Sequence, residues 1–290
     1  MPQENRFTVA TSGRPSNIKY NYQAQWEVGN SYGLGYEAPL GKNISLMEET
    51  LQRMKQIRSG LGLPISIHMP YFTACLSNYA YRDQSRAESY LVEAARMAKF
   101  LSCPVVIHPG GKRLPDHGKQ LQFTIDRINK IVEETGVDPK FLCFENMGKF
   151  SSFGNLSEIS MIAYETGCGI CFDISHSWAI HRAEEKEEPF ELWLRRALNV
   201  LCDFSWLKEY LHIHISGMTW DNRGEVEHQR FLESEFPLLP VLIELIDSNL
   251  ESSTIVVESD KKKFRDARDV RILVRYLEEL PIEERHTLFE

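Results

Sequence analysis

Long apolar runs and a secretory leader are both missing from this sequence. None of its apolar runs approaches the about 20 residues that a membrane-spanning helix requires. The first six residues, Met1 to Arg6, also lack the basic and then apolar order of a signal peptide. We therefore expect a cytoplasmic protein that has no membrane partner.

Cysteine is scarce and scattered. The six cysteines of the 290-residue chain are scattered along the sequence, and several of them fall in apolar, strand-like runs where a thiol behaves as a small hydrophobic group. Cys168 and Cys171 form a C-x-x-C pair, but residues three apart in an extended strand point to opposite faces. The pattern therefore favours neither a disulfide framework nor a zinc knuckle.

Positive charge is also in short supply, since the formal net charge is -8. This balance argues against a protein that is held to nucleic acid by bulk positive charge. It leaves room for a local basic cleft.

The chain does contain a repeated pattern of strand and helix. After about residue 60, short β-branched apolar runs end in a polar residue and are followed by a loop and a helical pattern. The spacing between runs is enough for a strand, a crossover helix and two loops, which predicts a parallel sheet. The six runs are Ile65–His68, Val105–His108, Phe141–Glu145, Gly169–Asp173, Leu211–His214 and Thr254–Glu258.

Amphipathic helices are predicted around these strands, because apolar positions recur at helical spacing among charged residues. The candidates are Ser45–Gly60, Arg86–Leu101, Lys119–Thr135, Leu156–Thr166, Phe190–Leu201, Leu238–Asn249 and Ala267–Leu280. Upstream, Phe7–Ala10 and Tyr32–Tyr36 supply two further strands. We predict one α/β domain over residues 1–290, a single (β/α)8 TIM barrel.

Each of the six runs ends in a side chain that can ligate a metal. In a barrel of this kind the strand ends converge on the active site at the C-terminal face. Histidine and carboxylate ligands together suit borderline divalent ions, zinc first and manganese second. One such histidine alone is better explained by a hydrogen-bonded role in the core, but six of six is poorly explained by chance. The six residues are His68, His108, Glu145, Asp173, His214 and Glu258. His212 shares a face with His214 and is an alternative ligand.

These strand ends carry motifs that resemble those of the endonuclease IV branch of the xylose-isomerase-like barrels, also called AP endonuclease family 2. The likeness spans most of the chain. The motifs are His68-Met69-Pro70-Tyr71, Val106-Ile107-His108-Pro109-Gly110, Phe144-Glu145-Asn146, Asp173-Ile174-Ser175-His176, His214-Ile215-Ser216-Gly217 and Val257-Glu258-Ser259.

The resemblance implies three metal ions and selects His214 over His212. It assigns His68, His108 and Glu145 to the first ion, and Glu145, Asp173, His214 and Glu258 to the second, so that Glu145 bridges. The third ion would take His176, His228 and an aspartate two residues before His228, where this chain has Val226. Glu225 and Glu227 are the candidate substitutes.

The resemblance also implies hydrolysis of DNA on the 5′ side of abasic sites, with Glu145 or Glu258 as the group that accepts a proton. Tyr71 and Phe72 occupy the loop that would enter the base stack. Phosphate contacts are expected from Lys112, Arg113 and Arg182 in the strand-end loops.

A sugar isomerase or epimerase on the same barrel is the alternative. It needs one metal ion, held by Glu145, Asp173, Glu258 and either His214 or His212, and a small sugar as its substrate. This alternative leaves His68, His108 and His176 without a role, so the sequence favours the nuclease.

Overall fold

The computed structural model describes residues 7–12, 34–39, 51–52, 54–56, 59, 64–70, 76–79, 84–259 and 268–280. Tyr71, Phe72 and most of the predicted helix Ser45–Gly60 lie outside these residues. Within them, no helix is long and apolar enough to cross a membrane.

The described residues form ten strands, eight of which make a parallel ring. They are β1 (Phe7–Ser12), β2 (Leu34–Pro39), β3 (Ile65–His68), β4 (Val105–Ile107), β5 (Leu142–Glu145), β6 (Gly169–Asp173), β7 (Leu211–Ile215), β8 (Gly217–Asp221), β9 (Gly224–Gln229) and β10 (Ser253–Val257). Strand β1 pairs in parallel with both β2 and β10, and the pairing order β1-β10-β7-β6-β5-β4-β3-β2 closes the ring. Strands β8 and β9 form a separate antiparallel hairpin.

Eight helices are described, and six of them coincide with predicted helices. They are α1 (Gln84–Leu101), α2 (His117–Thr135), α3 (Leu156–Thr166), α4 (Ile174–Ala183), α5 (Phe190–Cys202), α6 (Ser205–Glu209), α7 (Leu238–Asp247) and α8 (Arg268–Glu279). Sequence reasoning missed α4, α6 and the β8–β9 hairpin. The α/β barrel class is confirmed, whereas the full eightfold alternation of strand and helix is not, because most of the chain from β1 to β3 lies outside the described residues.

Capping residues define the ends of α2 and α3. Asp116 accepts a hydrogen bond from the Lys119 amide at the start of α2. Asn155 and Glu158 form a reciprocal capping box at the start of α3. Gly136 ends α2 in a left-handed conformation with φ of 59°. These local signals place both helix ends close to where the sequence predicted them.

Successive side chains of each barrel strand point to opposite faces, and this alternation separates two apolar layers. Ile107, Phe144 and Phe172 belong to the large core between the ring and the helices. The residues before them form a small cluster of their own inside the barrel, which consists of Val106, Cys143 and Cys171. Because successive side chains of a strand face opposite ways, His108, Glu145 and Asp173 lie on the same interior face, one step beyond that cluster. Cys143, Cys168 and Cys171 are buried free thiols.

An ion pair between α5 and α7 joins two helices of the outer layer. Arg195 donates from Nε and Nη2 to the Glu244 carboxylate at 2.8 and 2.7 Å. The Glu244 side chain is only 1% exposed, whereas that of Arg195 is 50% exposed. The pair therefore satisfies a carboxylate that is buried between the helices.

We predict that Arg195→Ala destabilises the protein by about 1–3 kcal/mol, because it leaves Glu244 buried without its donor. The loss of stability should lie near the lower end of this range, because half of the Arg195 side chain is exposed to water, which screens the ion pair. Urea denaturation measures the effect. Arg196→Ala is the matched control, because Arg196 pairs with Glu188 on the exposed side of α5 and its removal should change stability much less. Equal losses in the two variants would contradict the prediction.

Candidate metal centre

The strand ends bring together all eight side chains that the sequence assigned to metal ions. They form three overlapping groups in which the ligand atoms lie within 4.8 Å of one another. The first group is His68, His108 and Glu145, the second is Glu145, Asp173, His214 and Glu258, and the third is Asp173, His176 and His228. Because zinc binds nitrogen and oxygen ligands at about 2 Å, two ligands of one ion lie up to about 4 Å apart, and this spacing is close to that range.

The first group has two histidine rings that face one carboxylate oxygen. His68 Nε2 lies 3.2 Å and His108 Nε2 lies 3.1 Å from Glu145 Oε2. His68 Nδ1 donates to the Met69 carbonyl oxygen at 2.9 Å, so that Nε2 is the nitrogen offered to the site. Burial lowers the pKa of His108 to about 4, although Glu145 opposes the shift. His108 is therefore neutral at pH 7, which is the state that ligates a metal.

Atoms without hydrogen-bond partners mark the second group. Within the described residues, Glu145 Oε1, Asp173 Oδ2 and His214 Nδ1 are buried and form no hydrogen bond. His214 Nδ1 lies 3.4 Å from Glu145 Oε1 and 3.3 Å from Glu258 Oε2. Buried polar atoms are costly without partners, and these three face one another across a space lined by carboxylates. A divalent cation fits this set of donors.

Glu145 connects the three groups. Its Oε2 faces the first group, and its Oε1 lies 3.4 Å from His214 Nδ1 and 3.6 Å from His176 Nδ1. Burial alone would raise the pKa of Glu145, but the surrounding histidines hold it well below its ordinary value. An ionised carboxylate with its two oxygens turned to different groups has the geometry of a bridging ligand.

The third group depends on helix α4, which begins directly at the end of β6. Asp173 caps this helix, because its Oδ1 accepts a hydrogen bond from the His176 amide at 2.7 Å. His176 Nδ1 donates to the Asn146 carbonyl oxygen at 2.9 Å and therefore turns Nε2 away from β5. His176 and His228 approach edge to face, with ring centroids 5.5 Å apart.

Glu225 supplies a carboxylate next to the third group. Its Oε2 lies 3.4 Å from His176 Nε2. In the hairpin Glu225 pairs with Trp220 and Glu227 pairs with Thr219, so Val226 is the extra residue of a β-bulge. The bulge allows Glu225 and His228, three positions apart, to contact the same histidine. Val226 itself is 52% exposed, and the Glu227 carboxylate accepts a hydrogen bond from Gln229.

Gly148 allows the hairpin to pack tightly on the loop after β5. A Cβ at this position would lie 2.8 Å from Glu225 Cβ and 2.9 Å from His176 Cδ2, closer than real Cβ contacts. The Glu225 amide donates to the Gly148 carbonyl oxygen at 2.7 Å. This contact fixes the Glu225 backbone beside His176.

Charge in the third group is balanced by a proton in the absence of metal. Burial raises the pKa of Asp173 to about 7; His176 opposes this and Glu145 adds to it. Burial would lower the pKa of His176, but Asp173, Glu225 and Glu145 raise it to about 9. The carboxylates of this region therefore favour a positive charge at the position that His176 occupies.

Glu37 is a site residue that the sequence analysis missed. It lies on β2 and is fully buried. Its Oε2 accepts hydrogen bonds from His212 Nε2 at 2.9 Å and from His214 Nε2 at 3.1 Å. Burial would raise the pKa of Glu37, but the charge of His214 and these hydrogen bonds keep it below its ordinary value. The rule that selected the six other strand ends would also have selected Glu37, had β2 been extended past Tyr36.

The predicted phosphate-binding cations have different surroundings. Lys112 is exposed in the loop after β4. Arg113 Nη2 pairs with Glu158 Oε2 at 2.8 Å and thereby supports the start of α3. The Arg182 guanidinium is half exposed and lies 5.1 Å from the centre of the Trp220 ring. Arg182 Nη2 also lies 3.9 Å from Glu235 Oε2, a longer and more exposed ion pair than that of Arg113, so Lys112 and Arg182 are better placed for a ligand than Arg113.

Solved structures of several enzymes share this fold. Endonuclease IV from Thermus thermophilus has a TM-score of 0.68 at 17% identity, over 95% of this chain and 100% of that chain. A D-tagatose 3-epimerase-like protein has a TM-score of 0.66 at 17% identity, over 93% and 97%. A 3-keto-D-glucoside 4-epimerase from E. coli has a TM-score of 0.64 at 16% identity, over 94% and 100%. Likeness at these identities establishes the fold alone.

Sequence comparison establishes the family. An uncharacterized protein of Methanocaldococcus jannaschii is 26% identical over 288 residues, which is 97% of this chain and 100% of that protein. Residues 33–280 match the family described as xylose isomerase-like TIM barrel, AP endonuclease family 2. The resemblance drawn from the strand-end motifs is confirmed for this family, whose members are metal-dependent enzymes that include endonucleases, epimerases and isomerases. The chain belongs to the xylose isomerase-like TIM barrel family.

Proposed function

We propose that this protein is a metal-dependent phosphodiesterase on a (β/α)8 barrel that hydrolyses DNA on the 5′ side of abasic sites. The main support is that the second group has further ligand residues on two sides, namely His68, His108, His176 and His228. A one-metal enzyme needs only the second group. Two further groups of ligand atoms, buried except for the partly buried His228, support a centre of two or three ions.

The donor set indicates which ions would bind. Histidine nitrogens and carboxylate oxygens without thiolates suit zinc best, with manganese as the second choice. Such ions supply Lewis acidity, since they activate water and neutralise the charge of phosphoryl oxygens. His68 and His108 would hold one ion with Glu145, and Asp173, His214 and Glu258 would hold the next.

Glu258 is the residue best placed to accept the proton of the attacking water. The two oxygens of Glu145 are directed at four histidines, which suits a bridging ligand and leaves little freedom for proton transfer. Glu258 belongs to the second group, with its Oε2 3.3 Å from His214 Nδ1. A carboxylate at that position can orient water and take its proton.

The substrate contacts come from the rim of the site. Lys112 and Arg182 supply positive charge for phosphates, and Trp220 adds an aromatic face beneath the Arg182 guanidinium. Tyr71 and Phe72 remain the proposed wedge residues from the sequence motif.

A one-metal sugar epimerase or isomerase is the second candidate. It is favoured by the second group alone, because Glu145 and Glu258 flank one space that also contains Asp173 and His214. Two carboxylates around one ion suit proton exchange beside a carbonyl. The metal count and the substrate separate the two candidates.

The first experiment measures metal content and cleavage together. Elemental analysis of the purified protein should find two or three ions per chain, and an oligonucleotide with one abasic site should be nicked on its 5′ side. Chelator should abolish the nicking, and added zinc should restore it. The matched oligonucleotide without the lesion is the control. One ion per chain, intact DNA and activity on a ketose would replace the phosphodiesterase with the epimerase.

His108→Ala should reduce cleavage by more than about 100-fold, because it removes a neutral ligand from the first group. The fold should persist, as judged by circular dichroism and thermal melting. His117→Ala is the control, since His117 is exposed at the start of α2. Full activity of the His108 variant would remove this residue from the site.

Glu225→Gln should lower the metal content at saturation by about one ion per chain, because it removes the carboxylate that faces His176. Glu227→Gln, two residues along the same strand, should leave the metal content unchanged. Elemental analysis of both variants after dialysis against zinc provides the measurement. An unchanged metal content in the Glu225 variant would show that the third group binds no ion through this residue.

A further inference from the structure

Glu37 is a buried carboxylate beneath the second group that neither candidate mechanism uses. It lies on β2 and is 0% exposed. One of its oxygens, Oε2, accepts three hydrogen bonds, from Ser66 Oγ at 3.1 Å, His212 Nε2 at 2.9 Å and His214 Nε2 at 3.1 Å. An ionised carboxylate is costly to bury, so three donors on a single oxygen indicate a built arrangement and not a chance contact.

The two ring nitrogens of His214 have different neighbours. Nε2 faces Glu37, which as a carboxylate can only accept a hydrogen bond. Nδ1 faces Glu145 Oε1 and Glu258 Oε2 at 3.4 and 3.3 Å and belongs to the second metal group. A proton on Nε2 leaves the Nδ1 lone pair directed at that group, because a neutral imidazole carries only one proton.

We propose that Glu37 is a positioning residue that holds His214 in the orientation and tautomer in which Nδ1 ligates the metal ion of the second group. Carboxylates that accept from the remote nitrogen of a histidine fix its ring and increase its basicity as a ligand. Glu37 thus acts through His214 and has no direct part in the chemistry.

His212 has a supporting part in this arrangement. Its Nε2 donates to Glu37, and its Nδ1 lies 3.0 Å from the Tyr210 hydroxyl, which in turn contacts Thr254 Oγ1 at 3.1 Å. Both nitrogens of His212 are therefore engaged within the barrel interior. This assigns the two histidines of β7 to different tasks: His214 faces the ion, and His212 holds the carboxylate that orients His214.

Direct ligation by Glu37 is the competing explanation, because its Oε1 is buried without a hydrogen-bond partner among the described residues and one of its oxygens falls within 4.8 Å of ligand atoms on His68, His214 and Glu258. The two explanations predict different effects on the bound ion. A positioning residue changes affinity while the ligand set stays the same, whereas loss of a ligand changes the coordination of the ion.

The first measurement uses the wild-type protein loaded with zinc. Nitrogen NMR of histidine-labelled protein, with His214 assigned through a His214→Asn variant, should show a proton on Nε2 and none on Nδ1. The reverse tautomer would overturn the proposal. This readout needs no altered Glu37 and therefore does not depend on how well a variant folds.

The second measurement compares Glu37→Gln with Ser66→Ala. Competition with a chelator should show that Glu37→Gln weakens the zinc affinity of the second group by about 10- to 100-fold, with the number of ions at saturation unchanged. Ser66→Ala removes a donor to Glu37 without touching His214 and should have a much smaller effect. The visible spectrum of the cobalt-loaded variant should keep the wild-type band positions.

Three outcomes of the second measurement would also overturn the proposal. Unchanged zinc affinity in Glu37→Gln would remove the positioning role, and a lower melting temperature with unchanged affinity would identify a purely structural role. Shifted cobalt bands would identify Glu37 as a ligand.

The inference rests on the metal centre of the proposed function and not on its substrate, since the second group is shared with the epimerase alternative. Failure to cleave DNA would leave these readouts unaffected.

Discussion

The burial of the Glu145 carboxylate is the constraint on which the site depends. An ionised carboxylate inside a barrel loses its hydration, at a cost of several kcal/mol unless partners replace the water. Here four histidine rings surround the carboxylate, two beside Oε2 and two 3.4 and 3.6 Å from Oε1, which forms no hydrogen bond of its own with the described residues. Each ring belongs to a different part of the fold, so the strands β3 and β7, the loop after β4 and helix α4 must all be in place before Glu145 has these neighbours. Its neighbours Asp173 and Glu258 add like charge within 4.8 Å, and a divalent cation relieves that repulsion.

The layering of the barrel interior follows from strand alternation. Val106, Cys143 and Cys171 form an apolar layer, and the ligand residues occupy the next interior positions of the same strands. On strands β7, β2 and β3, His212, Glu37 and Ser66 continue this layer with hydrogen-bonded polar side chains. The floor of the site is therefore apolar beneath His108, Glu145 and Asp173 and hydrogen-bonded beneath His68 and His214. A hydrogen-bonded floor restricts ring rotation, which apolar packing alone does less well.

Much of this candidate site could be predicted from the sequence, because strand-end position and residue type are local signals. The six strand ends could be identified from the periodicity of the apolar runs alone. Glu37 was missed because Gly33 and Gly35 weaken the pattern of β2, which placed the strand end at Tyr36 although β2 continues to Pro39.

Helix α4 was missed because it starts at the strand end without a loop, and its serines and histidines are weak helix formers. The sequence offered both Glu225 and Glu227 as substitutes for the missing aspartate, but it could not select Glu225. The position of Glu225 depends on a bulge that arises from the pairing of β8 with β9 and from the tight contact at Gly148, and neither is encoded in local sequence.

The distribution of positive charge bears on how a phosphodiester would be held. Arg113 and Arg223 form ion pairs with Glu158 and Asp221, and the chain as a whole carries a net charge of -8. If the substrate is DNA, as proposed, side-chain cations would contribute less to its attraction than in a protein with a basic groove. In a centre with two or three divalent ions, the ions themselves are the largest positive charges near the cleft. The same ions would then attract the phosphodiester backbone of the substrate and activate water. Substrate binding and catalysis would therefore both depend on the metal ions.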